Sequence, residues 1–330
     1  MDPISQGVIG AVAAQSVTRK NRQLKLAAAM GWIAGMMPDL DVLIRSSTDP
    51  LLGLEYHRHF THALSFIPIG GVTAGVLAWL LTRRRHSLPQ LIFFSTVGFA
   101  THGLLDTFTS YGTQLLWPFS TARIAWDSIA IIDLFFTIPL LVGMFLSLHT
   151  QKALWARLGL GVSALWMAFG AYQHHTLQQV QQQLASSRGH TIAHARVMPM
   201  LAYLNPLFTW RSVYKTVDGM IYVDGLSYNF GKKADITTGG HIPYYNVHAM
   251  LATLPADSPL AKDLRRYDWF TDGFTATLPS DPNTIIDVRY SPNAASTKPL
   301  WGITLDPANP DKHITRARFS RTGDEAAANK

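Results

Sequence analysis

The sequence predicts a multi-span α-helical membrane bundle of five or six apolar helices, followed by a small, mainly β soluble domain. Two observations lead to this prediction. Long apolar runs fill residues 1–198, whereas residues 199–330 have the composition of an ordinary water-soluble domain. A spanning helix needs about 20 mostly apolar residues, and runs of about that length recur through the first part of the chain.

The number of transmembrane helices follows from the lengths of these runs. Four runs reach or approach a full span: 62–81, 88–108, 129–148 and 154–172. A fifth run, 24–45, is interrupted by Pro38, Asp39 and Asp41. A sixth run, 4–18, is short and rich in Gly and Ala, so it is a thin span, a re-entrant segment or an interfacial helix.

The chain is expected to divide into three parts: a transmembrane helical domain (1–172), a helical connector (173–198) and a mainly-β domain (199–330). The connector is rich in Gln and carries Leu177, Val180 and Leu184 at spacings of three and four, which is typical of a helix. Beyond it, β-rich segments predict strands at 220–223, 285–290 and 314–319. The dipeptides Asp218-Gly219 and Asp224-Gly225 predict turns.

Basic residues between the apolar runs predict the orientation. Residues 1–198 carry 14 Lys+Arg against 8 Asp+Glu. The basic clusters are Arg19/Lys20/Arg22/Lys25, Arg83/Arg84/Arg85 and Lys152/Arg157. They lie on one side if each run from 24–45 onward spans once, and the positive-inside rule makes that side cytoplasmic. The protein is therefore expected in the cytoplasmic (inner) membrane, with 46–61, 109–128 and the C-terminal domain extracytoplasmic.

Composition also excludes several classes of site. The chain has no cysteine, so disulfides and thiolate metal sites are excluded. The net charge of +7 resides mostly in the membrane part, and no basic stripe with interleaved aromatic residues is present. No nucleic-acid partner is therefore expected. A membrane lipid or other amphiphile is the expected ligand, and residues 199–330 offer a surface for a protein partner.

Three groups of ionisable residues, distant in sequence, are placed by this topology at one depth near the outer face. They are Asp39 with Asp41, the histidines His57, His59 and His62, and His102 with Asp106. His102 and Asp106 are four residues apart and share one helix face. Pro38 prevents a regular helix and lets both neighbouring aspartates turn to one side. Imidazole and carboxylate donors suit Zn²⁺, Mn²⁺ or Fe²⁺, which activate water for hydrolysis.

Single residues in these groups have simpler interpretations. Three would serve as helix caps: Asp41, Thr61 and Ser128. Arg58 either binds an anionic phosphate or extends its charge to the membrane surface. Asp127 and Asp133 either orient a ligating histidine or are structural.

Several motifs occur in a fixed order over roughly residues 1–150. They are Met1-Asp2-Pro3, Pro38-Asp39-Leu40-Asp41, His57-Arg58…Thr61-His62, and His102-Gly103-Leu104-Leu105-Asp106-Thr107. Together they resemble the YdjM-like family of inner-membrane metal-dependent hydrolases. The resemblance implies a metal-binding site formed by Asp39, Asp41, His57, His62, His102 and Asp106. His59 is not part of the family pattern.

One departure from the family concerns position 6, where many members have a histidine and this chain has Gln6. An amide oxygen is a weaker zinc ligand, so the site would hold one metal where relatives hold two, use His59 instead, or be inactive.

The resemblance and the residues together predict a hydrolase at the outer membrane face, acting on an ester or phosphoester lipid-like substrate. Zinc is the expected metal, with manganese or iron as alternatives. Asp39, His62 and Arg58 are the expected catalytic residues, and Arg58 would hold a substrate phosphate or carboxylate. The alternative is a non-catalytic protein with a degenerate site, which binds a partner or carries a metal or other ion.

Overall fold

The computed structural model describes residues 1–200, 209–230 and 233–319. These residues form two compact units. The first contains Met1–Ile44 and Tyr56–His174. The second contains Arg45–Glu55, His175–Met200 and the described residues from Thr209 onward. The second unit thus includes a short loop from the middle of the predicted membrane domain, which no sequence pattern indicates.

The helices up to residue 200 are, in order, α1 (Pro3–Ser16), α2 (Leu24–Met36), α3 (Leu52–Tyr56), α4 (Ile67–Leu81), α5 (Leu88–Thr107), α6 (Leu134–Thr150) and α7 (Leu154–Ser187). Among the described residues, four helical segments are long and apolar enough to cross a membrane, and α6 is a shorter apolar helix. The first unit therefore confirms the predicted multi-span bundle. Many of its large apolar side chains, such as Leu81 and Leu165, are exposed, as lipid-facing residues of a membrane bundle are.

The first helix, α1, is shorter than a full span. Its 14 residues extend about 21 Å, against about 30 Å for the hydrocarbon core. Val8, Ala11 and Val12 have no exposed surface. Because these residues belong to the apolar core of the bundle, α1 is an interior helix of the unit.

Several helix boundaries differ from the predicted ones. The run 62–81 becomes α-helical only at Ile67. The run 129–148 becomes helical only at Leu134, because Oδ1 of Asp133 accepts hydrogen bonds from the main-chain N–H groups of Phe135 (3.0 Å) and Phe136 (3.1 Å) and so caps α6. The connector is helical only as far as Ser187. Gly189 then has a φ of 74°, and the chain leaves the helix for the first strand.

Glycines set the spacing of the helices in the first unit. A Cβ atom on Gly31 would lie 2.2 Å from the carbonyl oxygen of Gly10, and one on Gly98 would lie 2.4 Å from that of Gly31. Since no side chain fits at these distances, α1, α2 and α5 approach at their backbones. Small residues commonly allow such approaches in membrane bundles.

The second unit contains two four-stranded antiparallel sheets, which confirm the predicted β domain. The first sheet is β1 (Ile192–Pro199), β2 (Thr209–Thr216), β3 (Met220–Ser227) and β4 (Asp235–Pro243). Helices α8 (Val247–Leu251) and α9 (Pro259–Thr271) follow. The second sheet is β5 (Thr275–Leu278), β6 (Asp281–Asp287), β7 (Trp301–Thr304) and β8 (Thr315–Arg318).

Of the two predicted turns in this unit, one is confirmed and one is wrong. Gly219, with a φ of 86°, lies in the turn between β2 and β3. Asp224 and Gly225 instead lie inside β3, where both neighbouring strands pair with them. The Asp224 carboxylate accepts two hydrogen bonds from Arg188, at 2.7 and 2.9 Å, and this pairing lets an aspartate occupy a buried strand position.

The close approach of α1 and α2 yields a stability prediction. Gly31→Ala places a methyl group against the Gly10 carbonyl oxygen, so the helices must separate, at a cost of about 1–3 kcal/mol. Gly161→Ala on α7 is the matched control, because no atom lies within 4 Å of its added methyl group. Thermal unfolding in detergent should show a lower Tm for Gly31→Ala alone. Equal Tm values for the two variants would contradict the packing of α1 on α2.

Candidate metal centre

The first two site residues lie where α2 ends. Pro38 has no main-chain N–H to continue the α-helical hydrogen bonds, and a 3₁₀ helix, Met37–Leu43, replaces the α-helix there. This 3₁₀ helix carries Asp39 and Asp41, and it confirms that Pro38 prevents a regular α-helix there. The side chain of Asp41 is fully buried and that of Asp39 is 22% exposed.

His102 and Asp106 lie on one face of α5, as their spacing predicted. His102 Nε2 is 3.6 Å from Oδ2 of Asp106. Nδ1 of the same imidazole lies 2.6 Å from the carbonyl oxygen of Gly35. A carbonyl oxygen only accepts hydrogen bonds, so Nδ1 carries a proton and, in the neutral ring, Nε2 presents its lone pair.

His62 enters the site from a 3₁₀ turn, Phe60–His62. Its backbone lies directly on α5, because a Cβ on Gly103 would be 2.0 Å from the His62 carbonyl oxygen. The Thr61 hydroxyl donates to Oδ2 of Asp41 (3.3 Å) and lies 3.0 Å from Nδ1 of His62. Because the hydroxyl proton is in the hydrogen bond to Asp41, the Thr61 oxygen accepts from His62, and Nδ1 of His62 is the donor. Its Nε2 is therefore also free to act as a ligand.

The two imidazoles face each other through these Nε2 atoms, which are 3.0 Å apart. Two neutral rings so placed bring two lone pairs together, which requires a proton or a metal cation between them. Both rings are buried. The carboxylates around them are consistent with a cation at this point.

Four donor atoms form a compact group suited to a metal ion: Asp39 Oδ1, His62 Nε2, His102 Nε2 and Asp106 Oδ2. The distances from Asp39 Oδ1 to the two Nε2 atoms are 3.4 and 3.3 Å, and Asp106 Oδ2 is 3.3 Å from that of His62. Zinc bonds of about 2.0–2.1 Å in a tetrahedron give edges of about 3.3 Å. The donor set and its dimensions therefore fit a zinc ion.

Asp106 supplies a second observation that fits a cation. Its Oδ1 accepts a hydrogen bond from Nε2 of Gln6 (2.8 Å) and also contacts the Met1 amino group. Its Oδ2 is buried and makes no well-directed hydrogen bond with any residue that the structure describes, although Nε of Arg58 lies 3.2 Å away as an ion-pair partner. The lone pairs of this oxygen are therefore incompletely used, and a metal ion would satisfy them.

Arg58 is buried beside Asp106 in a left-handed backbone conformation, with a φ of 65°. Its main-chain N–H donates to Oδ2 of Asp41 (2.9 Å), and its Nε lies 3.2 Å from Oδ2 of Asp106. Nη1 donates to Thr109 (2.8 Å), and the guanidinium lies over the Tyr111 ring. The conformation costs about 1–3 kcal/mol for a residue other than glycine, and such strain is common at functional sites.

Asp41 and His57 complete a second, overlapping group with Asp39. Nδ1 of His57 lies 2.9 Å from Oδ1 of Asp41. Asp41 also lies 3.3 Å from Nδ1 of His62 through its other oxygen. Asp41 therefore orients both histidines, and Asp39 is shared by the two groups.

Residues outside the six show what the sequence did and did not reveal. Asp133 is structural, since it caps α6 and accepts a hydrogen bond from Trp166 (2.9 Å). Ser128 precedes α6 and donates to the Trp126 carbonyl oxygen, so it is not a helix cap. His59 packs against the Trp117 ring. The contact of the Gly35 carbonyl oxygen with His102 could not be predicted from the sequence, because every residue has a main-chain carbonyl group.

The tautomers generate a spectroscopic prediction. In protein labelled with ¹⁵N-histidine, we expect Nδ1 of His62 and His102 to be protonated and Nε2 to be the ligand atom. Zinc addition should therefore shift Nε2 of both rings, with His86, an exposed histidine outside the cluster, as the internal reference. Assignment by long-range ¹H–¹⁵N correlation, with single His→Ala variants, provides the measurement. Protonated Nε2 atoms in the zinc-loaded protein would contradict the geometry.

Comparisons with known proteins agree with the motifs. The chain is 35% identical over 97 residues to the inner membrane protein YbcI of Escherichia coli (strain K12), an alignment that covers 28% of this chain and 54% of that protein. The chain therefore spans about half the length of the curated relative it matches. No solved structure matches the chain.

The sequence model of a family described as YdjM inner membrane protein matches residues 1–177. This match covers more than half of the chain and includes all six predicted ligand positions. The resemblance inferred from the motifs is thereby confirmed, and the chain belongs to the YdjM inner membrane protein family.

Proposed function

We propose that this protein is a membrane-embedded, metal-dependent hydrolase that acts on an ester or phosphoester of an amphiphile at the outer face of the inner membrane. The observation that carries the proposal is the group of four donor atoms, in which five of the six separations are 3.0–3.6 Å. Both imidazoles in this group have their Nδ1 atoms engaged as donors, which leaves Nε2 for the metal. Two nitrogen and two oxygen donors favour zinc, with manganese or iron as alternatives.

When bound, a divalent cation supplies Lewis acidity and lowers the pKa of a water molecule toward neutrality. Asp39 has the only partly exposed side chain among the four ligands, so it is where substrate and solvent reach the group. His62 and His102 hold their ring orientations through Thr61 and the Gly35 carbonyl oxygen. Arg58 balances the charge of Asp106, and its proposed contact with a substrate phosphate stays a prediction.

Apolar side chains beside the ligands support an amphiphilic substrate. Leu40 and Leu43 flank the two aspartates and are 56% and 73% exposed. Leu64 follows His62 by two residues and is 45% exposed. An acyl chain would contact these side chains while its ester group reaches Asp39.

The basic clusters support an outward-facing site. Arg157, at the start of α7, donates to the Ser16 carbonyl oxygen at the end of α1 (2.9 Å). Arg19 and Lys20 follow α1 directly, so two of the basic clusters lie at one end of the bundle. The positive-inside rule makes that end cytoplasmic. The ligands at the opposite ends of α2 and α5 then face outward. We propose that the C-terminal domain, whose unit includes residues 45–55, is extracytoplasmic as well.

The alternative function is that of a non-catalytic protein with a degenerate site, and Gln6 is the observation that favours it. Its amide lies in the site and donates to Asp106, while its Oε1 is buried and has no hydrogen-bond partner among the described residues. An amide there stabilises Asp106 without adding a strong ligand. Partner binding by the C-terminal domain would then be the function, and metal content separates the two readings.

The metal site predicts a stoichiometry. Protein purified in detergent after growth with zinc should contain about one equivalent for the four-atom group, or two if the second group is also filled. His62→Ala/His102→Ala should lose this metal, whereas His86→Ala/His149→Ala, which removes two exposed histidines, should retain it. Mass spectrometry of metals provides the measurement. A folded wild type without metal would disprove the hydrolase mechanism.

A second prediction concerns turnover. Asp39→Asn removes the charged ligand that solvent reaches, so hydrolysis should fall by about 100-fold or more, because loss of a residue that only orients a ligand already costs about 10–100-fold. Release of fatty acid or phosphate from ester and phosphoester lipids in mixed micelles provides the assay. Asp257→Asn, at an exposed position of the second unit, is the control. Hydrolysis that survives both Asp39→Asn and a chelator would show that the activity arises elsewhere.

A further inference from the structure

The loop of residues 45–55, termed the outer loop below, is built into the core of the second unit. Leu51 is 1% exposed. It belongs to the same apolar cluster as Leu260, Leu264 and Tyr267 of α9. Burial of a leucine side chain contributes about 1.5–3 kcal/mol, so the outer loop is an integral part of this unit.

Arg266 on α9 binds both halves of the outer loop. Its Nη2 lies 3.0 Å from Oδ2 and 3.1 Å from Oδ1 of Asp49, and its Nη1 also donates to Oδ1 at 3.1 Å. Its Nε lies 2.9 Å from Oε2 of Glu55. The planar guanidinium thus uses separate edges for two carboxylates six residues apart, a geometry that lysine does not reproduce.

The arginine is itself held in place. Its Nη1 lies 3.2 Å from Oδ1 of Asp263, a buried residue whose Oδ2 accepts hydrogen bonds from His313 (2.8 Å) and the main-chain N–H of Ile314 (3.1 Å). Burial would raise the pKa of Asp49, but the hydrogen bonds from Arg266 outweigh it and lower that pKa below its usual value. Asp49 is therefore ionised at neutral pH and remains paired with Arg266.

The segments on both sides of the outer loop carry residues of the candidate metal centre. Asp41 lies four residues before Arg45, and His57 lies two residues after Glu55. Two residues extend at most about 7 Å, so a shift of Glu55 is passed on to His57 and Arg58. The Arg58 N–H in turn holds Asp41, which orients His62.

We propose that Arg266 is a positioning residue for the metal centre: by fixing both halves of the outer loop, the C-terminal domain sets the separation of the two ligand-bearing segments. This inference rests on the proposed function, because it assigns the domain a role in ordering that site. A ligand or partner that displaces Arg266 would thereby loosen the site, which gives the C-terminal domain a means of controlling it.

The test compares three variants of the full-length protein in detergent. Arg266→Gln removes the guanidinium. Asp49→Asn/Glu55→Gln removes its loop partners and leaves α9 intact. The triple variant combines all three substitutions. Arg265→Gln is the matched control, because this exposed neighbour donates to the Ala256 carbonyl oxygen and not to the outer loop.

Two measurements are made on each variant: backbone hydrogen exchange and the Kd and visible absorption of bound Co²⁺. Both Arg266→Gln and the loop variant should speed exchange in residues 56–62 as well as in 45–55. Both should also weaken Co²⁺ binding about tenfold, as loss of supporting contacts at metal sites does. The triple variant should add nothing further, which shows that Arg266 acts through the loop.

The proposal is overturned if exchange rises only in residues 45–55 and the Co²⁺ Kd stays at the wild-type value. Should Arg266→Gln unfold the domain, the loop variant decides the matter, because it keeps Arg266 and its contact with Asp263 on α9. A wild type that binds no Co²⁺ defeats the proposed function, while the exchange data for residues 56–62 still decide the coupling on their own.

Discussion

Burial of charged and titratable side chains among apolar helices is the constraint on which the first unit depends. His102 and Asp106 have no exposed surface, although they lie in a helix that is apolar enough to span a membrane. Ionisable groups in such surroundings are expensive unless each one is paired. The neighbours meet this requirement with a main-chain carbonyl group, a guanidinium, a hydroxyl and an amide. The remaining lone pairs converge on one point, where a cation would complete the balance.

The same requirement explains why the helices lie so close together. The His102 ring reaches the Gly35 carbonyl oxygen only because α2 and α5 meet at glycines, and His62 reaches its position only because Gly103 has no side chain. Close backbone approach thus provides both the van der Waals contact that holds the bundle together and the acceptors that fix the imidazoles. The same close contacts therefore determine both the packing of the helices and the positions of the site histidines. A methyl group at these glycines would disturb both.

The second unit shows that sequence order and structural order differ in this protein. A loop between the two segments that carry the candidate ligands folds with a domain that begins more than a hundred residues later. An arginine from α9 holds that loop by charge-assisted hydrogen bonds, which are stronger and more directional than neutral ones. This arrangement gives the C-terminal domain a covalent connection to the candidate ligand residues on both sides of the loop.

The sequence by itself determined the features that depend on local composition and spacing. The lengths of the apolar runs predicted the transmembrane helices, and alternating apolar residues predicted strands such as β3. The four-residue spacing of His102 and Asp106 predicted that they share a helix face. The proline before Asp39 gave the end of α2, and the motifs in order gave the family. Only the tertiary structure decided which donor atoms meet, that Gln6 donates to Asp106, and that residues 45–55 join the second unit. It also shows that α6 starts at Leu134 and that Asp224 lies inside a strand. The contacts of His62 and His102 indicate which ring nitrogen carries the proton. These outcomes depend on contacts between residues far apart in the chain, and a local pattern carries no information about distances of that kind.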